Sequence, residues 1–281
     1  MKSNIEALRW AAELLNNKGI ESARLEAEIL LAHVLKVGRL YLYINPEQEL
    51  TQDQIDSYNK LIQRRSEHEP TAYIVGHREF MDLDLIVNED VLIPRPETEV
   101  LVETVIDHLN DITRVVRIAD IGTASGAIAL SLAKSLPCST VEAVDISERA
   151  LAVAKLNAGR YSLLGRITFN LGDLLEPLNG RKFNAIVSNP PYIPSKVIDT
   201  LQDEVREYEP STALDGGADG LDFYRRLIED SPKLLLKGGF LAVEIGFDQA
   251  EAVTNLARRH FREVEVVKDL SQNDRVVVAK L

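Results

Sequence analysis

The hydrophobic pattern changes period twice along the chain, and the changes divide it into three regions. Up to residue 70 the apolar positions recur at helical spacing. Ile5, Leu8, Ala12 and Leu15 share one face and stop at Gly19; Leu25, Ile29, Ala32 and Leu35 mark a second run before Gly38; Ile55, Tyr58, Leu61 and Ile62 mark a third. Ser3 with Glu6, and Thr51 with Gln54, carry the capping-box residue types ahead of the first and third runs. Residues 1–70 are therefore expected to form a small helical bundle. Over residues 71–93 the period shortens. Tyr73-Ile74-Val75-Gly76 and the alternation of Leu83, Leu85 and Val87 predict two short strands, a β-hairpin linking the bundle to the third region.

That third region, residues 94–281, opens on Pro94-Arg95-Pro96-Glu97-Thr98-Glu99, a stiff segment leading into a helix through Val100, Val105 and Leu109. After Arg114 strands and helices alternate. Residues 115–119, 140–144, 167–170, 185–187 and 240–245 read as strands, with helical patterns over 128–135, 149–158, 222–236 and 249–260. That order predicts a parallel sheet covered by helices. Two final apolar runs, 263–267 and 275–279, flank a short polar turn and predict an antiparallel hairpin at the end of the sheet.

Composition narrows the function classes. A net charge of -12 over 281 residues argues against broad attraction to a nucleic-acid backbone or an anionic membrane. Cys138 is the single cysteine, so no internal disulfide forms, and no Cys/His spacing resembles a metal site. A reducing, cytoplasmic setting is the expectation. The first residues lack the composition of a secretory or transit segment, and no apolar stretch is long enough to span a bilayer.

In a sheet of this kind a ligand lies outside the carboxyl ends of the strands, and the candidate motifs fall there. Asp120-Ile121-Gly122-Thr123-Ala124-Ser125-Gly126 follows the first strand and opens a helix, an arrangement that lets backbone approach a nucleotide. Asp145 ends the second strand where an acid accepts from ribose hydroxyls. Asp173 and Leu174 follow the third strand, and Asn189-Pro190-Pro191-Tyr192 follows the fourth. The loop has neither three glycines nor a nearby Lys or Arg, so a phosphate cofactor fits poorly. Asp120 suits a cationic ligand, an ammonium or a sulfonium, which points to S-adenosylmethionine.

Two prolines restrict Asn189 and Pro190 to few conformations. Their oxygens become preset acceptors suited to a planar NH2 group, and the Tyr192 ring can stack on its face. Amides and exocyclic amines both fit. The same segment also reads as a proline-rich turn that needs no chemistry.

The combination of Val91 to Glu99, the glycine loop, Asn189 to Tyr192, Glu209-Pro210, Ala213-Leu214, Gly216-Gly217 and Asp219-Gly220-Leu221-Asp222-Phe223-Tyr224 resembles the HemK/PrmC family of release-factor glutamine N5-methyltransferases. The resemblance covers nearly the whole chain. It implies a class I S-adenosylmethionine-dependent domain, Rossmann-like, with a mainly parallel seven-stranded sheet and an antiparallel C-terminal hairpin. It also implies a small helical N-terminal domain that engages a protein substrate, the class 1 peptide chain release factors. Gly122, Thr123, Ala124, Ser125, Gly126 and Asp145 are then expected to hold the cofactor, with Asp173 and Leu174 near its adenine and Asn189 to Tyr192 receiving the glutamine. The product would be S-adenosylhomocysteine, with no metal, no stable nucleic-acid partner and no membrane. The chain departs from the family at Ala124, where glycine is usual; a methyl there restricts the backbone if φ must be positive.

Alternatives stay open at this point. A ribosomal-protein glutamine is a second substrate within the family. An adenine in nucleic acid is a third, since Asn-Pro-Pro-Tyr is shared with adenine methyltransferases and Arg64-Arg65, Arg225-Arg226 and Arg258-Arg259 provide basic pairs. A cofactor-binding protein without catalysis is a fourth.

Overall fold

The computed structural model describes residues 3–110 and 115–281. The chain forms two compact units, residues 1–77 with 202–208, and residues 78–201 with 209–281.

The first unit begins with α1 (Asn4–Asn17), α2 (Ala23–Leu35), α3 (Arg39–Ile44), α4 (Gln52–Ser66) and α5 (Thr71–Val75). Its core gathers Leu8, Leu15, Leu30, Leu31, Tyr58 and Ile62. The buried apolar face of α2 is Ala23, Ala27, Leu30, Leu31 and Ala32; of the predicted stripe Ala32 is buried, whereas Leu25 is exposed and Ile29 only half-buried, so the stripe is partly rotated. α2 is apolar around much of its circumference, and tertiary packing chose the face. Thr51 and Gln54 make the expected capping box on α4. Ser3 makes no such cap. Donors at the start of α1 are met by backbone instead, Asn4 N–H by the Gln48 carbonyl at 3.0 Å and Ile5 N–H by Pro46 at 2.9 Å.

Tyr73 to Gly76, expected as a strand, instead fall in the one-and-a-half-turn helix α5 and its C-cap, Gly76, with φ +80°. Pro70 stands at its N-cap and leaves a helical start available to the β-branched and aromatic residues after it. The strands of the hairpin are β1 (His77–Phe80) and β2 (Leu83–Ile86). Asn157 and Tyr161 hold β2 by its backbone: Ile86 N–H donates to Asn157 Oδ1 at 2.8 Å, and Asp84 N–H to the Tyr161 hydroxyl at 2.6 Å.

The second unit continues with α6 (Thr98–Leu109), β3 (Val116–Ile121), α7 (Ala127–Ser135), β4 (Ser139–Asp145), α8 (Glu148–Arg160), β5 (Ile167–Leu171), β6 (Phe183–Ser188) and α9 (Ser195–Ile198). α10 (Asp203–Tyr208) belongs to the first unit, where Arg65 on α4 pairs with Glu204 at 2.6 Å. The remaining elements are α11 (Asp222–Leu234), β7 (Leu235–Glu244), α12 (Ala250–Ala257), β8 (Glu263–Lys268) and β9 (Asp274–Lys280).

The seven strands are ordered β5-β4-β3-β6-β7-β9-β8. β3 to β7 are mutually parallel, while β9 pairs antiparallel with both β7 and β8. One hydrophobic cluster lies on each face of the sheet. Adjacent β3 residues divide between them, Ile118 to one and Ala119 to the other, as the period of a strand requires. Burial on both faces explains the continuous apolar runs of β3 and β6. The order reverses between β3 and β6, the switch point beside which doubly wound sheets place a ligand.

Candidate active site

The glycine loop is built by backbone hydrogen bonds to the neighbouring strand. Gly122 and Thr123 N–H both donate to the Val144 carbonyl at 2.9 Å, and Gly126 N–H closes a turn onto Thr123 at 2.8 Å. Gly122 has φ +73° and open space where a side chain would begin, so a ligand can lie directly on its backbone. Gly126 has a different reason for being glycine. A Cβ there would sit 2.6 Å from Leu130 and 3.2 Å from Ala154, so its absence lets the start of α7 pack against α8.

Ala124 occupies the left-handed region with φ +47°. Its N–H donates to Asp145 Oδ2 at 2.8 Å, and Ser147 N–H donates to Asp145 Oδ1 at 2.9 Å. The strained alanine and the half-buried acid are thus one construction. Burial raises the Asp145 pKa, against the opposing pull of these backbone donors. Each carboxylate oxygen has more than one lone pair and can accept a further hydrogen bond.

Asp120 does not face a ligand. It is 0% exposed, and its Oδ2 accepts from the Thr123 hydroxyl at 2.6 Å and from Ala129 N–H, at the start of α7, at 3.1 Å. Burial pushes its pKa up to about 7, opposed by those two donors. It acts as an anchor for the loop, and its Oδ1 has no hydrogen-bond partner.

Asp173 and Leu174 stand at the end of β5. Asp173 is paired with Arg226 on α11 at 2.6 Å, and Leu174 has φ +47° and packs at the edge of the core.

Asn189 to Tyr192 leaves the carboxyl end of β6 beside the switch point. Asn189 is half-buried, Pro190 buried, and Pro191 and Tyr192 half-buried. Asn189 Nδ2 donates to Thr98 Oγ1, in the first turn of α6, at 3.0 Å. Burial first, and the Glu244 carboxylate second, push the Tyr192 phenol up to about 12, so the ring is a flat neutral surface at physiological pH.

Contacts between distant sequence blocks hold this segment. Arg95 Nη2 donates to buried Glu209 Oε1 at 2.5 Å, joining the proline-arginine-proline block to Glu209-Pro210. Ile193 N–H donates to the Leu214 carbonyl at 3.1 Å, and Gly216 N–H to Ile193 at 2.8 Å. A Cβ on Gly220 would lie 2.3 Å from the Tyr192 carbonyl oxygen, and one on Gly216 would lie 2.7 Å from Tyr192 Cα. These glycines let a second loop press against the backbone of the tetrapeptide. Gln249 completes the brace, its Nε2 donating to the carbonyls of Tyr192 at 3.0 Å and Gly220 at 3.2 Å.

Sequence reasoning passed over Glu244 and Gln249 and left Thr98 as part of a helix start. Glu244 had a readable signal, a charged residue directly after the apolar run Phe240 to Val243. Gln249 had none, because the carbonyls it braces are remote in sequence. Tyr224 is core, as its helical spacing with Leu227 implies: it is 0% exposed, and its hydroxyl donates to the Glu244 carbonyl at 2.8 Å.

Two of the three basic pairs are engaged by acids, while Arg258 of the third reaches the Asn255 side-chain oxygen. Arg64 bonds Glu69, Arg65 bonds Glu26 and Glu204, Arg225 bonds Asp219 and Asp222, and Arg226 bonds Asp173. Among the described residues no helix is long and apolar enough to cross a membrane.

Residues 6–76 match the PrmC N-terminal domain and residues 96–205 the methyltransferase small domain. A release factor glutamine methyltransferase of Geobacter sulfurreducens is 44% identical, the alignment covering 98% of this chain and 96% of that protein. One from Moorella thermoacetica is 46% identical, over 98% of this chain and 97% of its own. Among solved structures, the catalytic domain of hMettl16 in complex with MAT2A 3'UTR hairpin 1 superposes with a TM-score of 0.59 at 18% identity, covering 78% of this chain and 80% of that one. At that identity the likeness shows the fold alone. The fold is that of a class I methyltransferase, which implies S-adenosylmethionine as methyl donor, and Gly122's open backbone beside Asp145 fits such a cofactor. The chain belongs to the release factor glutamine methyltransferase family.

Proposed function

We propose that this protein transfers the methyl group of S-adenosylmethionine to the side-chain amide nitrogen of the glutamine in the Gly-Gly-Gln motif of class 1 peptide chain release factors, in the cytoplasm, yielding S-adenosylhomocysteine and using no metal. One observation carries the chemistry. Asn189 is held by its nitrogen to Thr98, so its side-chain oxygen is left to accept at the carboxyl edge of the sheet next to the glycine loop.

A glutamine amide nitrogen is a poor nucleophile because its lone pair is delocalised into the carbonyl, as in a peptide bond. Asn189 Oδ1 and the Pro190 carbonyl accept the two amide hydrogens and draw electron density toward nitrogen. Tyr192 stacks on the amide plane and sets its direction of approach. The bound cofactor supplies an electrophilic methyl group. Gly122 to Gly126 and Asp145 hold it, and Asp173 and Leu174 border its adenine. Orientation and preset acceptors supply the acceleration, without a covalent intermediate. The nitrogen loses its proton after transfer, so no side chain is assigned as general base.

Neutralisation of Arg64, Arg65, Arg225 and Arg226 by neighbouring acids speaks against a nucleic-acid substrate. The test is incubation with labelled S-adenosylmethionine and, separately, release factor, ribosomal protein and DNA, followed by mass-spectrometric mapping of the label. Label on the Gly-Gly-Gln glutamine is expected. Label on DNA and none on glutamine would overturn the reading.

A further inference from the structure

Glu244 ends β7 next to the carboxyl end of β6, and at 1% exposed it is a carboxylate deep in the sheet. The side chains of Thr98 and Asn189 both lie close enough to it to favour its ionised form. Its Oε2 is buried with no hydrogen-bond partner. An ionised carboxylate can only accept, which dictates what its neighbours present to it. Asn189 must turn its NH2 inward, toward Glu244 and Thr98 Oγ1, and Thr98 must point its hydroxyl proton away from the Asn189 nitrogen. The Asn189 oxygen is then forced outward.

An asparagine has no such preference by itself, since its two ends are nearly the same shape. We propose that Glu244 and Thr98 are positioning residues that fix which end of the Asn189 side chain faces the glutamine amide, an assignment resting on Asn189 as the amide acceptor. Neither touches the reacting atoms. With Glu244 protonated, the carboxyl can donate, Asn189 is free to turn its oxygen inward, and an NH2 group then confronts the substrate's own amide hydrogens.

Charged and titratable groups face Glu244 from several elements. Arg275 on β9 favours its ionised form, Glu97 ahead of α6 opposes it, and Tyr192 and Tyr224 lie within its field. Arg275 itself is paired with Asp269 at 3.0 Å. Burial outweighs the favourable contacts and raises Glu244 to about 7, so the reorientation falls near neutral pH.

The test uses the full-length chain as wild type, Thr98→Val, Thr98→Ser and Glu244→Gln, with S-adenosylmethionine and purified release factor. Thr98→Val is expected to lower kcat by about tenfold or more while the KM for release factor and the calorimetric Kd for cofactor stay within about twofold. Thr98→Ser restores kcat. In Glu244→Gln the rise of kcat through neutral pH flattens. A second readout needs no substrate: hydrogen exchange of the 15N-labelled Asn189 side-chain amide, slow in the free wild type and faster in Thr98→Val. Fast exchange in the wild type overturns the proposal. So does wild-type kcat in Thr98→Val, failure of Thr98→Ser to restore it, or an unchanged pH profile in Glu244→Gln. Slow wild-type exchange that Thr98→Val abolishes, with no label on any glutamine, upholds the orientation and overturns the substrate reading alone.

Discussion

Two carboxylates are buried at strand ends in this sheet, and both titrate near neutrality, yet they organise their surroundings differently. Asp120 near the end of β3 bonds residues three and nine positions away, Thr123 and the N–H of Ala129. Glu244 at the end of β7 faces Thr98 and Asn189, which bond each other and are remote from it and from each other in sequence. The first fixes the course of a loop. The second fixes the polarity of one side chain. A local carboxylate can shape backbone, where many bonds share the task, while a remote one suits a single group whose direction decides the chemistry.

The sharpest break of this comparison is at Asn189. Asn189→Ala removes the group toward which Glu244 and Thr98 are directed, and labelled methyl transfer at saturating cofactor should fall by about 10²–10³-fold, the range seen when one preorganised hydrogen-bonding group is deleted. Cofactor affinity by calorimetry should hardly change. Turnover near wild type would remove Asn189 from the site.

Asp120 should show itself in stability instead. Its pKa is raised from 3.8 to about 7, so between those values the folded chain keeps a proton that the unfolded chain has released. Stability therefore falls as pH rises across that window and levels above it, by at most about 4 kcal/mol from the linkage of a shift of this size. Glu244, raised from 4.5 to about 7, adds a loss of the same sign. Asp120→Asn should flatten the first contribution in urea titrations between about pH 3 and 8, values that bracket the window. An unchanged pH slope would mean that Asp120 is ionised without penalty.

The same contrast explains what was legible in the sequence. The alternation of strands and helices, the parallel sheet and its closing antiparallel hairpin follow from local patterns, and Thr51 with Gln54 makes the cap its residue types announce. The failures share a cause in partners supplied from elsewhere. Ser3 loses its cap role because residues 46–49 meet the helix start, with Pro46 and Gln48 carbonyls accepting its donors. Tyr73 to Gly76 read as strand by residue type, but Pro70 and Gly76 bound a helical turn. Asp120 looks like a ligand-facing acid only until its burial is known. The brace from Gln249 to Tyr192 spans 57 positions and leaves no local trace.

Asp145→Ala takes away the acceptor of Ala124 N–H and Ser147 N–H together with the expected partner of the ribose hydroxyls. Loss of charge-assisted hydrogen bonds of this kind weakens cofactor binding by roughly tenfold to a hundredfold. Calorimetric titration with S-adenosylmethionine checks it, and unchanged affinity would detach Asp145 from the cofactor.

The smallest effect is expected at Ala124, where the comparison between the two strand ends can be sharpened without deleting any functional group. An alanine at φ +47° is in a region that its Cβ disfavours by about 1 kcal/mol, whereas glycine adopts it freely. Ala124→Gly relieves that strain in the folded loop and also loosens the unfolded chain, so the two effects partly cancel in global stability. The N–H of residue 124 still reaches Asp145 Oδ2, and the hydrogen bond should survive. Cofactor binding should then tighten by up to about fivefold if the methyl crowds the ligand, with kcat at saturating cofactor unchanged. A change in kcat would couple the glycine loop to the Asn189 orientation and erase the division between the two carboxylates. Weaker binding would show that alanine holds the loop in the receptive geometry and that the strain is retained for preorganisation.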